Sequence, residues 1–357
     1  MSILSSSGNN VLIWSLNTFE CIHTIKNDFS VTYVIFSNNR KLFGYCCNNG
    51  SVFIYDLQFV KLHEFMIDVS TNSMNVIIFS PNDELVIINS DNGYLYSYSL
   101  QTKELVTMNA PLNYIWSPKL SSKKEIIVTC SNSGNIFVWS YKGELICVLK
   151  QHTDAVWCVD INYSETLLLS CSNDGLIVVW SLETMLLQYI LIGHEDSVWC
   201  CKFKNNMIIS LSRDNTIRLW SQSTQECIKI INIHFSYIIY NNLFNFEGNK
   251  IILCDNNNIN IILLETDDRI ILSGHTDNIV DMVFNSDETL LLSVSHDNTV
   301  RIWSMKTYEC IGVLNHTDII NNISVYGMRY DDERLLKNIL ETITLPEISD
   351  IIISYTY

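Results

Sequence analysis

The sequence has little of what several protein classes require. Its 357 residues include only 4 prolines and 12 glycines, too few for a collagen-like, proline-rich or glycine/serine-linker protein. Lysine and arginine total 22 against 38 acidic residues, which gives a formal net charge of −16. Because binding to a phosphate backbone depends on basic side chains, we expect no direct contact with nucleic acid. Charged residues make up 17% and hydrophobic residues 48%, a composition typical of globular proteins.

Membrane, secretion and cofactor signals are also missing. No apolar run approaches the roughly 18 residues of a membrane-spanning helix, and residues 1–10 lack a signal-peptide pattern. We therefore expect a cytoplasmic protein without membrane insertion, with the nucleus also open. The 12 cysteines include no C-x-x-C pair, and we expect most to be small buried hydrophobic residues rather than disulfides or metal ligands. No glycine-rich phosphate loop occurs, and no cofactor is predicted.

A repeat of about 40 residues runs through the sequence. Its landmark is a residue, usually aromatic, that ends a short alternating run and precedes a polar residue. Successive landmarks lie 39–44 residues apart. The landmarks are Trp14-Ser15, Tyr55-Asp56, Tyr98-Ser99, Trp139-Ser140, Trp180-Ser181, Trp220-Ser221, the degenerate Leu264-Glu265, and Trp303-Ser304. This period is typical of a four-stranded propeller blade.

The repeat around Trp180 divides into four short strands. The strands predicted from its alternating pattern are Ala155–Ile161, Thr166–Ser170, Leu176–Trp180 and Leu186–Ile192. Asp174-Gly175 separates the second strand from the third and predicts a tight hairpin turn in which both residues have positive φ. Since the runs are short, β-branched and frequently interrupted, they do not fit helices.

Three repeats share a longer motif. Its best examples are Gly193-His194, Asp214 and Trp220-Ser221, then Gly274-His275, Asp297 and Trp303-Ser304, and a third, Gln151-His152, Asp174 and Trp180-Ser181, that lacks only the glycine. The motif resembles the WD-repeat family of β-propellers, with serine in place of the usual aspartate after tryptophan. The resemblance covers about residues 1–326 and implies an all-β fold, a closed propeller of four-stranded antiparallel blades.

The strand pattern favours eight blades. Seven complete groups lie at approximately 31–66, 74–107, 113–149, 155–192, 197–231, 236–272 and 278–314. Residues 1–25 carry three further strands and 319–325 a single one, which together complete an eighth blade and close the ring without exposed edges. Seven blades remain possible if the weak 228–272 unit is not a blade.

The extension at residues 327–357 departs from the repeat. It follows the propeller domain, residues 1–326. Apolar residues at helical spacing predict a short C-terminal helix, followed by an apolar strand or tail. The extension either caps the last blade or docks a partner.

The resemblance implies buried hydrogen-bonded chains. In WD-repeat proteins, a loop histidine, a serine of the second strand, a turn aspartate and the tryptophan often form such a chain. The residues at these positions are His152, Ser170, Asp174 and Trp180; His194, Ser210, Asp214 and Trp220; and His275, Ser293, Asp297 and Trp303. A serine–histidine–aspartate set also occurs in hydrolases. Its recurrence at the repeat period favours a structural role, so no catalytic residue and no enzymatic activity are predicted.

Two tryptophans are candidate binding residues. Trp157 and Trp199 follow the first apolar residue of the first strand in neighbouring repeats. The resemblance places this position near the mouth of the central channel, on the top face. The counterparts in other repeats are Thr32, Asn75, Ile239, Val280 and Asn321. Packing between blades is the alternative role for both tryptophans.

Acidic residues precede these positions, namely Asp154, Glu195, Asp196, Asp277 and Asp318. Aromatic faces beside carboxylates favour ligands that carry lysine or arginine. The alternative is a solvated acidic surface that serves solubility alone.

These features predict a non-enzymatic protein-interaction scaffold. We expect it to bind a peptide or partner loop, of basic character, at the top face, and to belong to a multiprotein complex. One alternative is a structural subunit of a large assembly. Another is a substrate-recognition adaptor for a ubiquitin ligase, which would need a separate chain because no F-box-like segment is recognisable in the sequence.

Overall fold

The computed structural model describes residues 2–68, 76–90, 93–109, 115–233, 244–247, 250–285 and 287–326. Within these ranges the chain forms eight four-stranded antiparallel sheets and no helix. The prediction of an eight-bladed propeller is confirmed. The seven-bladed alternative is wrong, because the 228–272 region supplies the strands of a complete sheet. The C-terminal helix and strand expected over 327–357 lie outside the described residues.

The first half of the chain contains three strands of the closing blade and blades 1 to 3. The opening strands are β1 (Ser2–Ser7), β2 (Asn10–Ser15) and β3 (Cys21–Lys26). Blade 1 contains β4 (Val31–Phe36), β5 (Leu42–Cys47), β6 (Ser51–Asp56) and β7 (Lys61–Met66). Blade 2 contains β8 (Val76–Phe79), β9 (Leu85–Asn89), β10 (Tyr94–Ser99) and β11 (Leu105–Asn109). Blade 3 contains β12 (Ile115–Ser121), β13 (Ile126–Ser131), β14 (Asn135–Ser140) and β15 (Leu145–Lys150).

The second half contains blades 4 to 7 and the last strand. Blade 4 contains β16 (Val156–Ile161), β17 (Leu167–Ser172), β18 (Ile177–Ser181) and β19 (Leu187–Leu191). Blade 5 contains β20 (Val198–Lys204), β21 (Met207–Ser212), β22 (Thr216–Ser221) and β23 (Cys227–Asn232). Blade 6 contains β24 (Phe244–Glu247), β25 (Lys250–Asp255), β26 (Asn258–Leu263) and β27 (Arg269–Ser273). Blade 7 contains β28 (Ile279–Phe284), β29 (Leu290–Ser295), β30 (Thr299–Ser304) and β31 (Cys310–Asn315), and β32 (Ile320–Tyr326) follows.

The two ends of the chain share blade 8. Strand β32 pairs with β1, and the sheet order is β3-β2-β1-β32. First strands of neighbouring blades contact one another in the pairs β4–β8, β12–β16, β16–β20, β28–β32 and β32–β4, so they form the inner wall of the ring. Closure by pairing of the two ends leaves no sheet edge at the seam.

Burial explains the hydrophobic pattern of the strands. Middle strands pack against neighbouring blades on both faces; every residue of β13, for example, is buried. A strand buried on both faces reads as a continuous apolar run rather than an alternating one. Fourth strands lie at the outer edge of the ring. The fourth strand of blade 3, β15, exposes Leu145 and Ile146 there.

The first strands of blades 1, 4, 5, 7 and 8 carry a β-bulge that strict alternation did not predict. In blade 4, Val156 pairs with Ser172 and Cys158 pairs with Cys171, which leaves Trp157 as the additional residue. A bulge re-aims a side chain and interrupts the alternation of faces. The residues at the same bulge in other blades are Thr32, Trp199, Val280 and Asn321.

Two details of the repeat differ from the sequence analysis. In the turn of blade 4, Gly175 has a φ of +81° whereas Asp174 does not have positive φ, because the aspartate side chain caps the turn instead. In blade 6, Ile262 pairs with Ile251 as Trp220 pairs with Ile208 in blade 5. The landmark of blade 6 is therefore Ile262 rather than Leu264.

Candidate functional site

Blade 4 contains a continuous hydrogen-bonded chain. His152 Nδ1 lies 2.9 Å from Asp174 Oδ2, and His152 Nε2 lies 2.9 Å from Ser170 Oγ. The indole Nε1 of Trp180 donates to Ser170 Oγ at 2.9 Å. The chain joins the loop before the first strand to the turn between the second and third strands and to the blade interior. We call the face of the ring that carries these loops and turns the top face.

The order of donors in this chain follows from its two ends. The Asp174 carboxylate is an acceptor, so the Nδ1–H of His152 donates a hydrogen bond to it. Nε2 of His152 then accepts a hydrogen bond from the Ser170 hydroxyl. Ser170 is completely buried. A nucleophile must be reached by its substrate, and this oxygen is enclosed by the histidine and the indole. The arrangement therefore satisfies the buried polar groups of the blade and favours a structural role.

Blades 5 and 7 repeat the chain. The serine-to-histidine distances are 2.7 Å for Ser210–His194 and 2.8 Å for Ser293–His275, and Trp220 and Trp303 each donate to the serine at 2.8 Å. The histidine-to-aspartate distances are 2.7 Å for His194–Asp214 and 2.8 Å for His275–Asp297. Thus the structure brings together all twelve residues that the resemblance assigned to such chains.

Burial and hydrogen bonding shift the pKa values in these chains. Burial lowers the pKa of His194 and His275, and the neighbouring aspartates only partly offset this effect. Burial tends to raise the pKa of Asp214, but hydrogen bonds from Thr216, His194 and the Glu195 backbone lower it to about 2. The aspartate is therefore ionised and the histidine neutral at pH 7, a state suited to structural hydrogen bonding.

The glycine of the motif has a packing role. A Cβ atom added to Gly193 would lie 2.6 Å from Nη1 of Arg218 and 3.0 Å from Cη2 of Trp220. A Cβ atom on Gly274 would lie 2.6 Å from Nη1 of Arg301. These glycines let an arginine of the third strand lie against the loop that carries the histidine.

Blade 8 contains a fourth, incomplete chain that the sequence analysis missed. Trp14 Nε1 donates to Ser5 Oγ at 2.9 Å, and Ser5 Oγ lies 2.8 Å from His316 Nε2. Nδ1 of His316 lies 3.3 Å from the Leu314 carbonyl rather than near a carboxylate. Burial without an acidic partner lowers the pKa of His316 to about 4. The signal was present as Trp14-Ser15 at the repeat period, but its histidine lies at the other end of the chain.

The four aspartates predicted to lie on the top face occupy equivalent places in the loops before the first strands. Each has an exposed side chain, and each backbone carbonyl accepts a hydrogen bond from a serine of the second strand. The pairs are Ser172–Asp154 at 3.0 Å, Ser212–Asp196 at 3.1 Å, Ser295–Asp277 at 2.8 Å and Ser7–Asp318 at 3.0 Å. The backbone of each acidic loop is thus fixed while its carboxylate lies in solvent.

Trp157 and Trp199 are both half-buried, at the bulges of blades 4 and 5. The Trp157 indole Nε1 lies 3.5 Å from Asn173 Oδ1, and the Asn173 amide donates to Asp154 Oδ2 at 2.8 Å. Ser197 at the entrance to blade 5 also donates to Asn173. Side-chain hydrogen bonds therefore link the tryptophan of blade 4 to both acidic loops.

Two other predicted binding positions make contacts within the fold. Val280 packs against the apolar cluster that joins blades 7 and 8. Asn321 Nδ2 donates to the Val31 carbonyl at 2.9 Å and so links blade 8 to blade 1. The counterparts Asn75 and Ile239 lie outside the described residues. The aromatic residues at the described bulges are Trp157 in blade 4 and Trp199 in blade 5.

The inner wall contains buried polar residues that the sequence did not reveal. Asp281 accepts hydrogen bonds from Asn322 Nδ2 at 2.8 Å and from the Ile323 backbone at 3.2 Å. Asn322 Oδ1 in turn accepts from the Val34 backbone at 3.1 Å. These bonds connect blades 7, 8 and 1 around the ring. Their side chains follow the bulge, where the period-2 pattern is interrupted.

These features define an eight-bladed β-propeller with hydrogen-bonded chains at repeat positions and an aromatic and acidic region on its top face. The family model described as "WD domain, G-beta repeat" matches residues 143–181, 186–221 and 268–304. Each matched segment contains one complete chain of histidine, serine, aspartate and tryptophan. These three matches, together with the similarity to proteins named for their WD repeats, support a WD-repeat β-propeller family for this chain; propellers of this family are generally non-enzymatic scaffolds.

Several known proteins are similar to parts of this chain. WD repeat-containing protein pop2 of Schizosaccharomyces pombe is 28% identical over 147 residues, 40% of this chain and 20% of pop2. The WD repeat-containing protein 89 homolog of Dictyostelium discoideum is 24% identical over 40% of this chain and 41% of its own length. An F-box protein of Saccharomyces cerevisiae is 30% identical over 34% of this chain and 20% of that protein. The chain thus spans less than half the length of each relative.

The crystal structure of the computationally designed Ika8 protein shows a similar fold. It aligns with a TM-score of 0.70 over 85% of this chain and 92% of its own, at 19% identity. Within the residues that the structure describes, no helix has the length and apolar character needed to cross a bilayer.

Proposed function

We propose that this propeller is a non-enzymatic scaffold that binds a basic peptide or partner loop on its top face, at blades 4 and 5. The observation that supports this site is the repeated pairing of a half-buried indole with an exposed carboxylate. Trp157 lies three residues after Asp154, and Trp199 lies three residues after Asp196, on adjacent blades.

The chemistry of these groups favours a cationic ligand. A lysine or arginine over an indole face gains about 0.5–1 kcal/mol at an exposed site. The net charge of −16 adds long-range attraction for a basic segment. Arg213 lies 3.9 Å from Asp196, so a ligand cation would compete with this weak, exposed ion pair. We expect the partner to be a protein within a multiprotein complex, and the protein to be cytoplasmic.

Binding of the partner, as proposed, requires no catalytic step, metal ion or cofactor. The serine–histidine–aspartate sets are enclosed within blades, and Ser170, Ser210 and Ser293 are completely buried. The acidic loops of the top face are held by hydrogen bonds from second-strand serines to their backbone carbonyls. A rigid scaffold that positions loops in this way is suited to recognition of a partner.

The experiment is affinity capture followed by mass spectrometry, with the full chain as bait. The test variant is Trp157→Ala/Trp199→Ala. The matched control is Ile146→Ala/Ile311→Ala, which removes two exposed apolar side chains from fourth strands at the outer edge of the ring. We expect the control to retain the partners of the unchanged protein and the tryptophan variant to lose at least one of them. Equal recovery by all three proteins would contradict the proposed site.

A structural subunit of a large assembly is the second candidate. The supporting observation is the exposure of Ile228 and Ile230 on β23, since exposed aliphatic neighbours are typical of contact surfaces. Ile228→Ser/Ile230→Ser should then reduce the size of the complex seen by gel filtration of cell extract. Removal of residues 327–357 tests the other proposed contact: loss of assembly with an intact propeller supports docking, and unfolding supports capping.

An adaptor role in a ubiquitin ligase is the third candidate. It is suggested by similarity to a protein named for its F-box, of which this chain matches 20%. Recovery of ligase subunits with the unchanged protein, and their retention by the tryptophan variant, would support an adaptor that holds the ligase elsewhere.

A further inference from the structure

Cysteine side chains converge between blades 4 and 5. The Sγ atoms of Cys158, Cys171 and Cys201 all lie within 4.8 Å of one another, and the three residues are buried. Cys200 lies beside them and its thiol interacts with Cys158. The surrounding cluster is apolar and includes Leu211 and Ile209. Four of the 12 cysteines thus meet at one junction between blades.

The repeat explains how these residues meet. Cys171 holds the place before the last residue of its second strand, opposite Cys158 of the first strand. Cys254 of β25 holds the same place in blade 6, and its Sγ atom lies 3.7 Å from Sδ of Met282 on β28, the first strand of blade 7. A residue at the place of Cys171 therefore faces the first strand of the next blade. Cys201 holds the place of Met282 in blade 5. This junction therefore combines thiols from both blades.

We propose that Cys158, Cys171 and Cys201, with Cys200 as the fourth ligand, bind one Zn²⁺ ion that joins blade 4 to blade 5. Sulfur atoms around a tetrahedral zinc lie about 3.8 Å apart, given a Zn–S distance near 2.3 Å. The Sγ atoms of Cys158, Cys171 and Cys201 all lie within 4.8 Å of one another, which exceeds that separation by at most about 1 Å. Thiolate sulfur is the donor type that selects zinc over magnesium or calcium.

The position of the site implies a structural role. It is closed to solvent, so zinc would enter as the chain folds and its binding energy would add to the folding energy. Cys158 directly follows Trp157, and Cys200 directly follows Trp199. The ion would therefore fix the separation of the two tryptophans. The zinc proposal stands on the sulfur geometry and does not depend on the proposed peptide site.

The test measures metal in the full chain, expressed with Zn²⁺ and purified without chelator. Elemental analysis should give about one zinc per chain. Cys171→Ala/Cys201→Ala should retain less than about a tenth of it. Cys130→Ala is the matched control because Cys130 holds the same place in β13 and is equally buried, but Val159 faces it in the place that Cys201 holds in blade 5. The other thiol packed against that cluster, Cys147, is only partly buried. This control should keep the full zinc content.

A second measurement needs no variant. Expression with Cd²⁺ in place of Zn²⁺ should give the ultraviolet charge-transfer absorption of thiolate–cadmium bonds in the unchanged protein. Absence of stoichiometric zinc together with absence of this band would overturn the proposal. Equal zinc in the folded double variant and the unchanged protein would overturn it as well.

Discussion

The Ser5 hydroxyl lies 2.8 Å from Nε2 of His316, although 311 positions of sequence separate the two residues. Strand β1 supplies the serine and the loop before β32 supplies the histidine. Trp14 completes the chain from β2. The closing blade thus has the same internal hydrogen bonding as blades 4, 5 and 7, without the aspartate.

Ser5→Ala should destabilise the ring. The change leaves the buried Trp14 Nε1–H and the His316 ring nitrogen without their shared partner, and we expect a loss of about 1–3 kcal/mol in the free energy of unfolding. Urea denaturation at pH 7 measures it. Ser223→Ala, at an exposed serine, should change the value by less than about 0.5 kcal/mol. Equal midpoints for the two variants would show that the seam contributes little.

His316 should make stability depend on pH. Its pKa falls from 6.5 to about 4 on folding because it is buried. A lowered folded pKa contributes stability that is present above pH 6.5 and lost as the pH falls toward 4. Between pH 7 and pH 5 this loss is about 2 kcal/mol.

His316→Gln keeps a side chain that can bond Ser5 but removes the titration. Its free energy of unfolding should therefore change less between pH 7 and pH 5 than that of the unchanged protein. Ser223→Ala, at an exposed residue that does not titrate, should leave the pH dependence as it was. The same slope for all three proteins would contradict the assignment.

The chain in blade 5 should behave as one unit. His194 lies 2.7 Å from Asp214, so His194→Ala and Asp214→Ala should show a coupling of about 0.5–3 kcal/mol in a double-mutant cycle. His194→Ala and Asp297→Ala, in different blades, should add within about 0.5 kcal/mol. Chemical denaturation of the two cycles measures both quantities. Equal coupling in both would argue against separate chains within each blade.

The architecture could be predicted from the sequence because each blade repeats the same local pattern of residues. Alternating runs, a turn and a terminal Trp180 or Trp220 recur at one period, and the count of strands gave eight blades. The landmark of blade 6 was misplaced because Ile262 lacks the aromatic signature and only its pairing with Ile251 identifies it.

Contacts between distant segments were less predictable. The chain through His316 needs residues from both ends, and no local spacing reveals it. The thiols of Cys158 and Cys201 were treated as separate buried residues, because only the packing of blade 4 on blade 5 brings them together. The bulge also redirected Val280 into the apolar cluster between blades 7 and 8, an outcome that strict alternation does not predict.

The carboxylates of Asp154 and Asp196 should increase the rate at which a basic partner binds. Asp154→Asn/Asp196→Asn removes two charges beside the tryptophans while each new amide keeps an oxygen acceptor for the following backbone N–H. Once a partner peptide is identified, stopped-flow association should be slower by roughly 2- to 10-fold at low salt, and the difference should shrink at high salt. An unchanged rate at low salt would exclude an electrostatic role for these two residues.

The central claim separates a structural set of residues from a recognition set, and a crossed comparison of two double variants tests it most directly. Ser170→Ala/Ser210→Ala removes two buried hydroxyls, and Trp157→Ala/Trp199→Ala removes two half-buried indoles. Thermal unfolding and partner capture are measured for both at the same concentration. The account predicts a lowered melting temperature with retained capture for the serine variant, and lost capture with a smaller fall in melting temperature for the tryptophan variant. Retained capture by the tryptophan variant, or lost capture by a folded serine variant, would contradict it.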